Sequence, residues 1–162
     1  MRNPKAIGAF FGILFLFGAC KSEPKSALKT EAITFTKEGE LQVFAMPGDS
    51  LRTTFAIEIA ESEYETQTGL MYRESMRNVE AMLFIFPDVA VHSFYMKNTQ
   101  FPLDILFINE GMTIVSMQEN TEPYNEAGLS SVEPIKYVLE INGGLSSQLG
   151  LAIGDRVSFK RQ

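Results

Sequence analysis

The sequence has one cysteine, one histidine and no tryptophan among its 162 residues. A single histidine excludes multi-histidine zinc sites and most Ser–His–Asp triads. The sequence also lacks a Gly-x-Ser-x-Gly nucleophile elbow and a glycine-rich phosphate loop. Acidic side chains outnumber basic ones by 20 to 14, which argues against nucleic acid as a partner. We therefore favour a protein without catalytic residues, metal or cofactor, in which His92 lies at a strand edge or on the surface.

The long hydrophobic run that a membrane span requires is missing as well. Arg2 and Lys5 precede an apolar run over residues 6–17, which is shorter than the roughly 20 residues of a transmembrane helix. The small residues Gly18 and Ala19 follow this run. A basic start, a short apolar run and small residues at its end predict a signal peptide over residues 1–19.

The single cysteine stands at the predicted cleavage point. "LFGAC" resembles the lipobox of bacterial lipoproteins, in which Cys20 becomes the lipidated first residue, with Phe17 where leucine is usual. An ordinary secretory signal followed by a stray cysteine is the alternative. Removal of residues 1–19 leaves 12 basic and 20 acidic side chains, a net charge of −8, so membrane attachment would depend on acyl chains. The predicted location is the bacterial cell envelope, lipid-anchored through Cys20 and facing the periplasm or the cell surface.

The rest of the chain divides into a tether and one domain. Residues 20–40 comprise the lipidated cysteine and a polar, charged stretch that is typical of a flexible tether. Residues 41–162 contain many short apolar segments separated by turn residues. We predict a mainly β (β-rich α+β) fold, a small mixed β-barrel of about seven strands with one or two short helices, because so many strands must hide their edges.

Alternating or continuous apolar runs place the strands at 41–45, 51–60, 81–86, 91–96, 103–108, 112–117, 136–141 and 154–159. Residues 81–86 are apolar throughout, as expected for a strand buried on both faces. Ser62 and Glu65 fit a capping box that opens a helix from 63 to about 72, and a second short helix is allowed after Gly144. The loop "NEG" before residue 112 predicts a hairpin whose Gly111 is left-handed.

Two carboxylates lie among apolar neighbours on predicted strands, Asp104 in "PLDILFI" and Glu140 in "YVLEI". A buried carboxylate without a partner is costly. They could be an acid/base pair, as in glycoside hydrolysis. Alternatively, they point outward or pair with Arg73 and Lys97 to fix the strand register.

Polar residues interrupt an aromatic region at "MKNT", residues 96–99. Asn98 and Thr99 suit a turn, and Lys97 could bind an anionic or hydroxylated ligand. Tyr95 and neighbouring aromatic residues could form a stacking floor for a sugar ring, although such residues more often belong to the core.

Four blocks in order, "TGLMYRESM", "AMLFIF", "FYMKNTQFPLDILFI" and "KYVLEINGG…GLAIGDRV", resemble the domain of unknown function 192 family, also called uncharacterised protein family 0127. Ala81 stands where that family usually has glycine, and Tyr95 where tryptophan is common. The resemblance implies a small mixed β-barrel, often secreted or membrane-attached, and no particular activity. The matching polar positions, which the resemblance marks as site candidates, are Arg73, Lys97, Asn98, Thr99, Asp104 and Glu140.

These observations favour a non-catalytic envelope lipoprotein whose domain binds a small ligand, a glycan or a protein. Arg73, Lys97, Asn98 and Asp104 would gather beside Tyr95. The alternatives are a hydrolase of envelope carbohydrate that uses Asp104 and Glu140, and a structural or assembly protein without a ligand site.

Overall fold

The computed structural model describes residues 33–162. The predicted signal peptide, Cys20 and tether residues 21–32 lie outside the described residues. Within residues 33–162, no helix has the length and apolar character needed to cross a membrane.

The described part of the chain forms nine strands and two short helices. The helices are α1 (Glu63–Thr68) and α2 (Leu145–Leu149). The strands are β1 (Gly39–Ala45), β2 (Ser50–Ala60), β3 (Glu80–Ala90), β4 (Ser93–Phe94), β5 (Leu103–Ile108), β6 (Ile114–Thr121), β7 (Leu129–Ser130), β8 (Ile135–Asn142) and β9 (Arg156–Arg161).

Seven of these strands form one mixed sheet in the order β6-β5-β8-β3-β2-β1-β9, and β4 and β7 form a separate two-stranded ribbon. Neighbours in the large sheet are antiparallel except β2 and β3, which are parallel. A parallel pair requires a crossover connection. Residues 61–79 provide it and carry α1 over one face of the sheet.

The sheet does not close into a barrel, so this part of the prediction is wrong. Its edge strands β6 and β9 meet at one end only, through the bridge between Thr113 and Arg156. Hydrogen bonds join the Ile114 amide to the Asp155 carbonyl (3.0 Å) and the Val157 amide to the Met112 carbonyl (2.8 Å). Beyond this point, the residues of β6 pair with β5 alone. The β-rich class with two short helices is confirmed.

Hydrophobic clusters cover both faces of the central strands, and alternate residues of one strand join different clusters. In β3, Leu83 belongs to one cluster and Phe84 to the other. In β5, Leu106 and Phe107 divide in the same way. The prediction that residues 81–86 are buried on both faces is thus confirmed for Ala81 to Phe84, which are all buried.

Several local predictions need correction. Helix α1 has the predicted capping box but ends at Thr68 rather than near Tyr72. Strand β3 continues through Pro87 to Ala90, because an irregular register between Ile85 and Ala90 accommodates the proline. The residue with positive φ in the β5–β6 hairpin is Met112 (φ 59°), not Gly111. The strand predicted at 91–96 is reduced to β4.

Candidate ligand-binding site

A cavity of about 220 Å³ opens between the end of α1, the end of β3, strand β4 and strand β8. We call it the Gly69 pocket. Its walls combine aromatic rings with polar side chains, and both kinds of group occur in small-molecule sites. The lining residues are Thr66, Gln67, Thr68, Gly69, Leu70, Met71, Phe84, Phe86, His92, Ser93, Phe94, Tyr95, Thr99 and Glu140.

Perpendicular aromatic rings form one side of the pocket. The Phe94 ring meets Phe84 edge-on, with centroids 5.2 Å apart and planes at 88°. It meets Phe86 in the same way, at 6.1 Å and 88°. His92 stacks on Phe86 at 3.8 Å. These packed contacts fix the orientation of the rings, so the pocket has an ordered aromatic wall.

Glu140 places a carboxyl group against this aromatic wall. It lies on β8 opposite Ile105, on the face of the sheet that carries Phe84 and Phe107, and is only 6% exposed. No side chain or backbone group among residues 33–162 hydrogen-bonds to its carboxyl group. Burial raises the pKa of Glu140 to about 8, and the positive charge of Arg73 opposes that rise. Glu140 is therefore mainly a neutral acid at pH 7.

Arg73 is held by another carboxylate. Its Nη1 lies 2.5 Å from Glu58 Oε2, with 11% and 9% of the two side chains exposed. The second oxygen of Glu58 accepts a hydrogen bond from the Thr36 amide at 2.6 Å. Arg73 and Glu58 line a neighbouring cavity that shares Thr68 and Gly69 with the Gly69 pocket. Arg73 thus acts on Glu140 through its charge and not through a direct contact.

Gly69 ends α1 at the floor of the pocket. Its φ of 48° and ψ of −128° suit glycine alone, and its amide donates to the Glu65 carbonyl at 2.8 Å. A Cβ atom here would lie 2.9 Å from Phe84 Cζ and 3.8 Å from Glu140 Oε2. The glycine therefore permits both the sharp turn after the helix and the close approach of the backbone to the aromatic wall.

The sequence-predicted site residues separate in the structure. Tyr95, Thr99 and Glu140 line the Gly69 pocket. Asn98 lies beside it with φ 57° and donates from Nδ2 to the Tyr72 hydroxyl at 2.9 Å. Lys97 is exposed and makes none of the ion pairs found within residues 33–162.

Asp104 lies on the opposite face of the sheet from Glu140. It precedes Ile105, the partner of Glu140, so its side chain points the other way. The fully buried carboxylate accepts backbone N–H bonds from Asn120 (2.7 Å), Gly144 (2.8 Å) and Ser146 (2.7 Å). Asp104 therefore neither points outward nor pairs with Arg73 or Lys97, and it cannot form an acid/base pair with Glu140.

Sequence reasoning missed several lining residues. His92, expected at an edge or surface, lines the pocket, and its Nε2 lies 3.4 Å from Asp88 Oδ1. The end of α1 contributes residues Thr66 to Leu70. The only unusual feature of this segment in the sequence was Gly69, a glycine that is unfavourable in a helical pattern. In the part of the chain that the structure describes, no three His, Cys, Asp or Glu side chains converge as a metal site would require.

The chain matches a family model and two solved structures. The model for DUF192, described as an uncharacterized ACR, covers residues 44–159. A Sinorhizobium meliloti protein proposed as a transcription regulator is 35% identical, with a TM-score of 0.73 over 78% of this chain and 96% of that one. A protein of unknown function from Novosphingobium aromaticivorans is 34% identical, with a TM-score of 0.70 over 74% and 83%. No curated protein matches.

We expect Asp104→Asn to destabilise the domain. The side-chain amide replaces one acceptor oxygen, so at least one of the N–H groups of Asn120, Gly144 and Ser146 loses its partner. Hydrogen bonds to charged groups contribute about 1.5–3 kcal/mol each, and the free energy of unfolding should fall by a similar amount in denaturant titration. Glu110→Gln, an exposed carboxyl on the β5–β6 turn, is the control. A loss below about 0.5 kcal/mol would contradict this role.

We also expect the Glu140 carboxyl group to make stability depend on pH. Because the pKa of Glu140 is raised from 4.5 to about 8 on folding, the protonated form stabilises the folded state below pH 4.5. That contribution is lost as the pH rises towards 8. At about 1.4 kcal/mol per pKa unit, wild type should lose on the order of 4 kcal/mol relative to Glu140→Gln across this window.

Denaturant unfolding at pH 5, 6, 7 and 8 measures the difference between the two proteins. Glu110→Gln should follow the wild-type curve at every pH. If wild type and Glu140→Gln run parallel from pH 5 to 8, the carboxyl group is not buried as described.

Proposed function

The chain belongs to the DUF192 family, and we propose that it is a non-catalytic binding protein of the bacterial envelope that holds a small organic ligand in the Gly69 pocket. One observation carries the proposal. An aromatic wall faces the Glu140 carboxyl group, which is 6% exposed and has no hydrogen-bond partner within residues 33–162, so its oxygens are free to bind a molecule in the pocket.

The size and lining of the pocket support a small ligand. Its volume of about 220 Å³ lies below the roughly 300–1,000 Å³ of sites for drug-sized molecules. Phe84, Phe86 and Phe94 supply apolar surface, whereas Thr99 and Glu140 supply polar groups at defined positions. This combination favours a compact molecule with both apolar and polar surface.

The arrangement of carboxylates supports binding over hydrolysis. Glycosidases of the common type use two carboxyl groups that flank one bond. Glu140 is the one carboxylic acid among the residues that line the Gly69 pocket. Asp104 lies on the other face, with its oxygens taken by three backbone amides.

The envelope location rests on the amino-terminal sequence. A basic start, an apolar run over residues 6–17 and "LFGAC" ending in Cys20 together support export and lipidation. Acyl chains on Cys20 would hold the domain at a membrane, and the polar stretch after it would separate the domain from the head groups.

The ligand proposal predicts that the pocket can be blocked by one methyl group. In a thermal-shift screen of the purified domain against small envelope metabolites and sugars, we expect at least one compound to raise the melting temperature of wild type. Gly69→Ala should abolish that shift, because its Cβ would crowd Phe84.

Gly154→Ala is the matched control for backbone strain. Gly154 also has a positive φ (95°), but a Cβ there meets nothing within 4 Å. This variant should bind as wild type does, although it is destabilised. A ligand that shifts both variants equally binds elsewhere, and a screen without any shift would contradict small-molecule binding.

The anchor proposal predicts that Cys20→Ser releases the protein from membranes. When the full chain is expressed in a bacterium with labelled fatty acid, wild type should carry label and sediment with membranes. The serine variant should do neither, because it lacks the thiol that is acylated. Unlabelled wild type would leave an ordinary secretory signal as the better explanation.

A further inference from the structure

We infer that the Gly69 pocket and three tyrosines beside it bind the end of a neutral sugar chain, with the terminal ring in the pocket and the next ring against the tyrosines. These residues are Tyr72, Tyr95 and Tyr124, and we call them the tyrosine rim. The inference rests on the proposed function and names the class of ligand. It follows from the polar groups in the pocket wall and from the exposed rings that border it.

Two buried polar side chains in the pocket wall have no partner in the described part of the chain. Thr99 is 4% exposed and Glu140 is 6% exposed, and both line the pocket. Neither the Thr99 hydroxyl nor the Glu140 carboxyl group hydrogen-bonds to any group of residues 33–162. The side chains of Thr68 and Ser93 add two further hydroxyl groups to the lining. The wall therefore offers hydrogen-bond donors and acceptors together.

Sugar hydroxyl groups match such a mixed wall. Each hydroxyl donates one hydrogen bond and can accept two, so neighbouring hydroxyls on one ring can bind hydroxyl and carboxyl groups alike. They can also bind the Glu140 carboxyl group in either protonation state, since that group accepts hydrogen bonds in both. Among the residues that line the pocket there is no lysine or arginine, so the lining favours a neutral ligand over an anion.

The tyrosine rim provides aromatic surface outside the pocket. The side chains of Tyr72, Tyr95 and Tyr124 lie in residues that are 59%, 44% and 62% exposed. None of the ring–ring contacts within residues 33–162 involves them. Exposed tyrosines supply rigid, amphipathic contact area at a low cost in conformational entropy. The C–H face of a sugar ring can pack on such a ring while its hydroxyls remain solvated.

Hydrogen bonds hold the rim next to the pocket. The Tyr72 amide donates to the Asn98 carbonyl at 2.9 Å, and the Tyr124 amide donates to the Thr99 carbonyl at 3.2 Å. Asn98 Nδ2 also donates to the Tyr72 hydroxyl at 2.9 Å. Because Tyr95 and Thr99 line the pocket themselves, a chain that leaves the pocket on this side meets the rim.

The backbone of the rim is strained. Tyr72, Asn98 and Tyr124 have φ angles of 64°, 57° and 62°, a left-handed conformation that is uncommon for residues other than glycine and asparagine. Such conformations concentrate at ligand sites, where the surrounding structure holds them. Burial in the core does not explain them at Tyr72 and Tyr124, because both residues are exposed. The strain thus supports a role for these rings at the surface.

Other partners use only part of this arrangement. A flat protein surface against the rim would leave the groups of Thr99 and Glu140 in the pocket without bonds. A nucleotide would stack on tyrosine, but its phosphate needs cationic groups, which the pocket lining lacks. A sugar chain satisfies the polar groups in the pocket and covers the rings beside it.

Isothermal titration calorimetry of the full chain with two homologous series tests the inference. The probes are N-acetylglucosamine with its β-1,4-linked dimer and trimer, and glucose with maltose and maltotriose. We expect the trimer of at least one series to bind wild type about tenfold more tightly than its monomer, because only the longer chain reaches the rim. Gly69→Ala should abolish binding of both monomer and trimer.

Variants of the rim and of the pocket should differ in which probe they affect. Tyr124→Ala should weaken trimer binding about tenfold and monomer binding less than about twofold, and Tyr124→Phe should restore the trimer affinity because the ring remains. Thr99→Val should weaken monomer and trimer by the same factor, since both place a ring in the pocket. Tyr64→Ala is the matched control, because Tyr64 is 76% exposed and belongs to neither the rim nor the pocket lining.

The outcomes separate this inference from the proposed function. Equal affinity for monomer and trimer, or a trimer affinity that Tyr64→Ala lowers as much as Tyr124→Ala does, would overturn the role of the rim. If neither series binds while the metabolite screen finds a ligand that Gly69→Ala excludes, the sugar assignment is wrong and the binding pocket stands. If both sugar series and the screen are silent, both proposals are wrong.

Discussion

Burial of both faces of β3, β5 and β8 is the constraint on which the rest of the structure depends. The side chains of Ala81–Phe84, Leu103–Ile108 and Val138–Ile141 are buried, so a carboxyl group in these segments needs partners or a cavity. Asp104 is satisfied by three backbone amides and joins the β5, β6 and α2 segments. Glu140, on the other face, meets the Gly69 pocket instead. The same type of residue on paired strands thus has a structural role in one case and a candidate binding role in the other.

The parallel pairing of β2 with β3 determines where that pocket lies. It requires the chain to cross the sheet between these strands, and the crossover brings the end of α1 over Phe84. Gly69 then allows the backbone to approach the ring closely. The pocket wall is consequently a product of sheet topology, and residues distant in sequence from Glu140 complete it.

The sequence predicted what depends on local patterns. The apolar segment before the hairpin loop placed β5 at its observed bounds, and the capping box at Ser62 placed the start of α1. Strand register and sheet closure depend on pairing between distant parts of the chain, which local patterns do not show. A closed barrel was therefore predicted, whereas β6 and β9 meet at a single bridge. The site shows the same limit. Glu140 was recognisable as a polar residue among apolar neighbours, but which face it and Asp104 occupy depends on the register of β5 with β8. His92 gave no signal at all.

The segment before β1 bears on the pocket although none of residues 33–38 lines it. The Thr36 amide and Arg73 share the two oxygens of Glu58, and the Ile59 amide binds Glu38 Oε2 at 2.7 Å. Loss of the Thr36 contact would remove one hydrogen-bond donor from Glu58 and leave Arg73 as the partner of that carboxylate. A change in the position of residues 33–38 would therefore alter the electrostatic environment of Arg73 and, through its charge, that of Glu140.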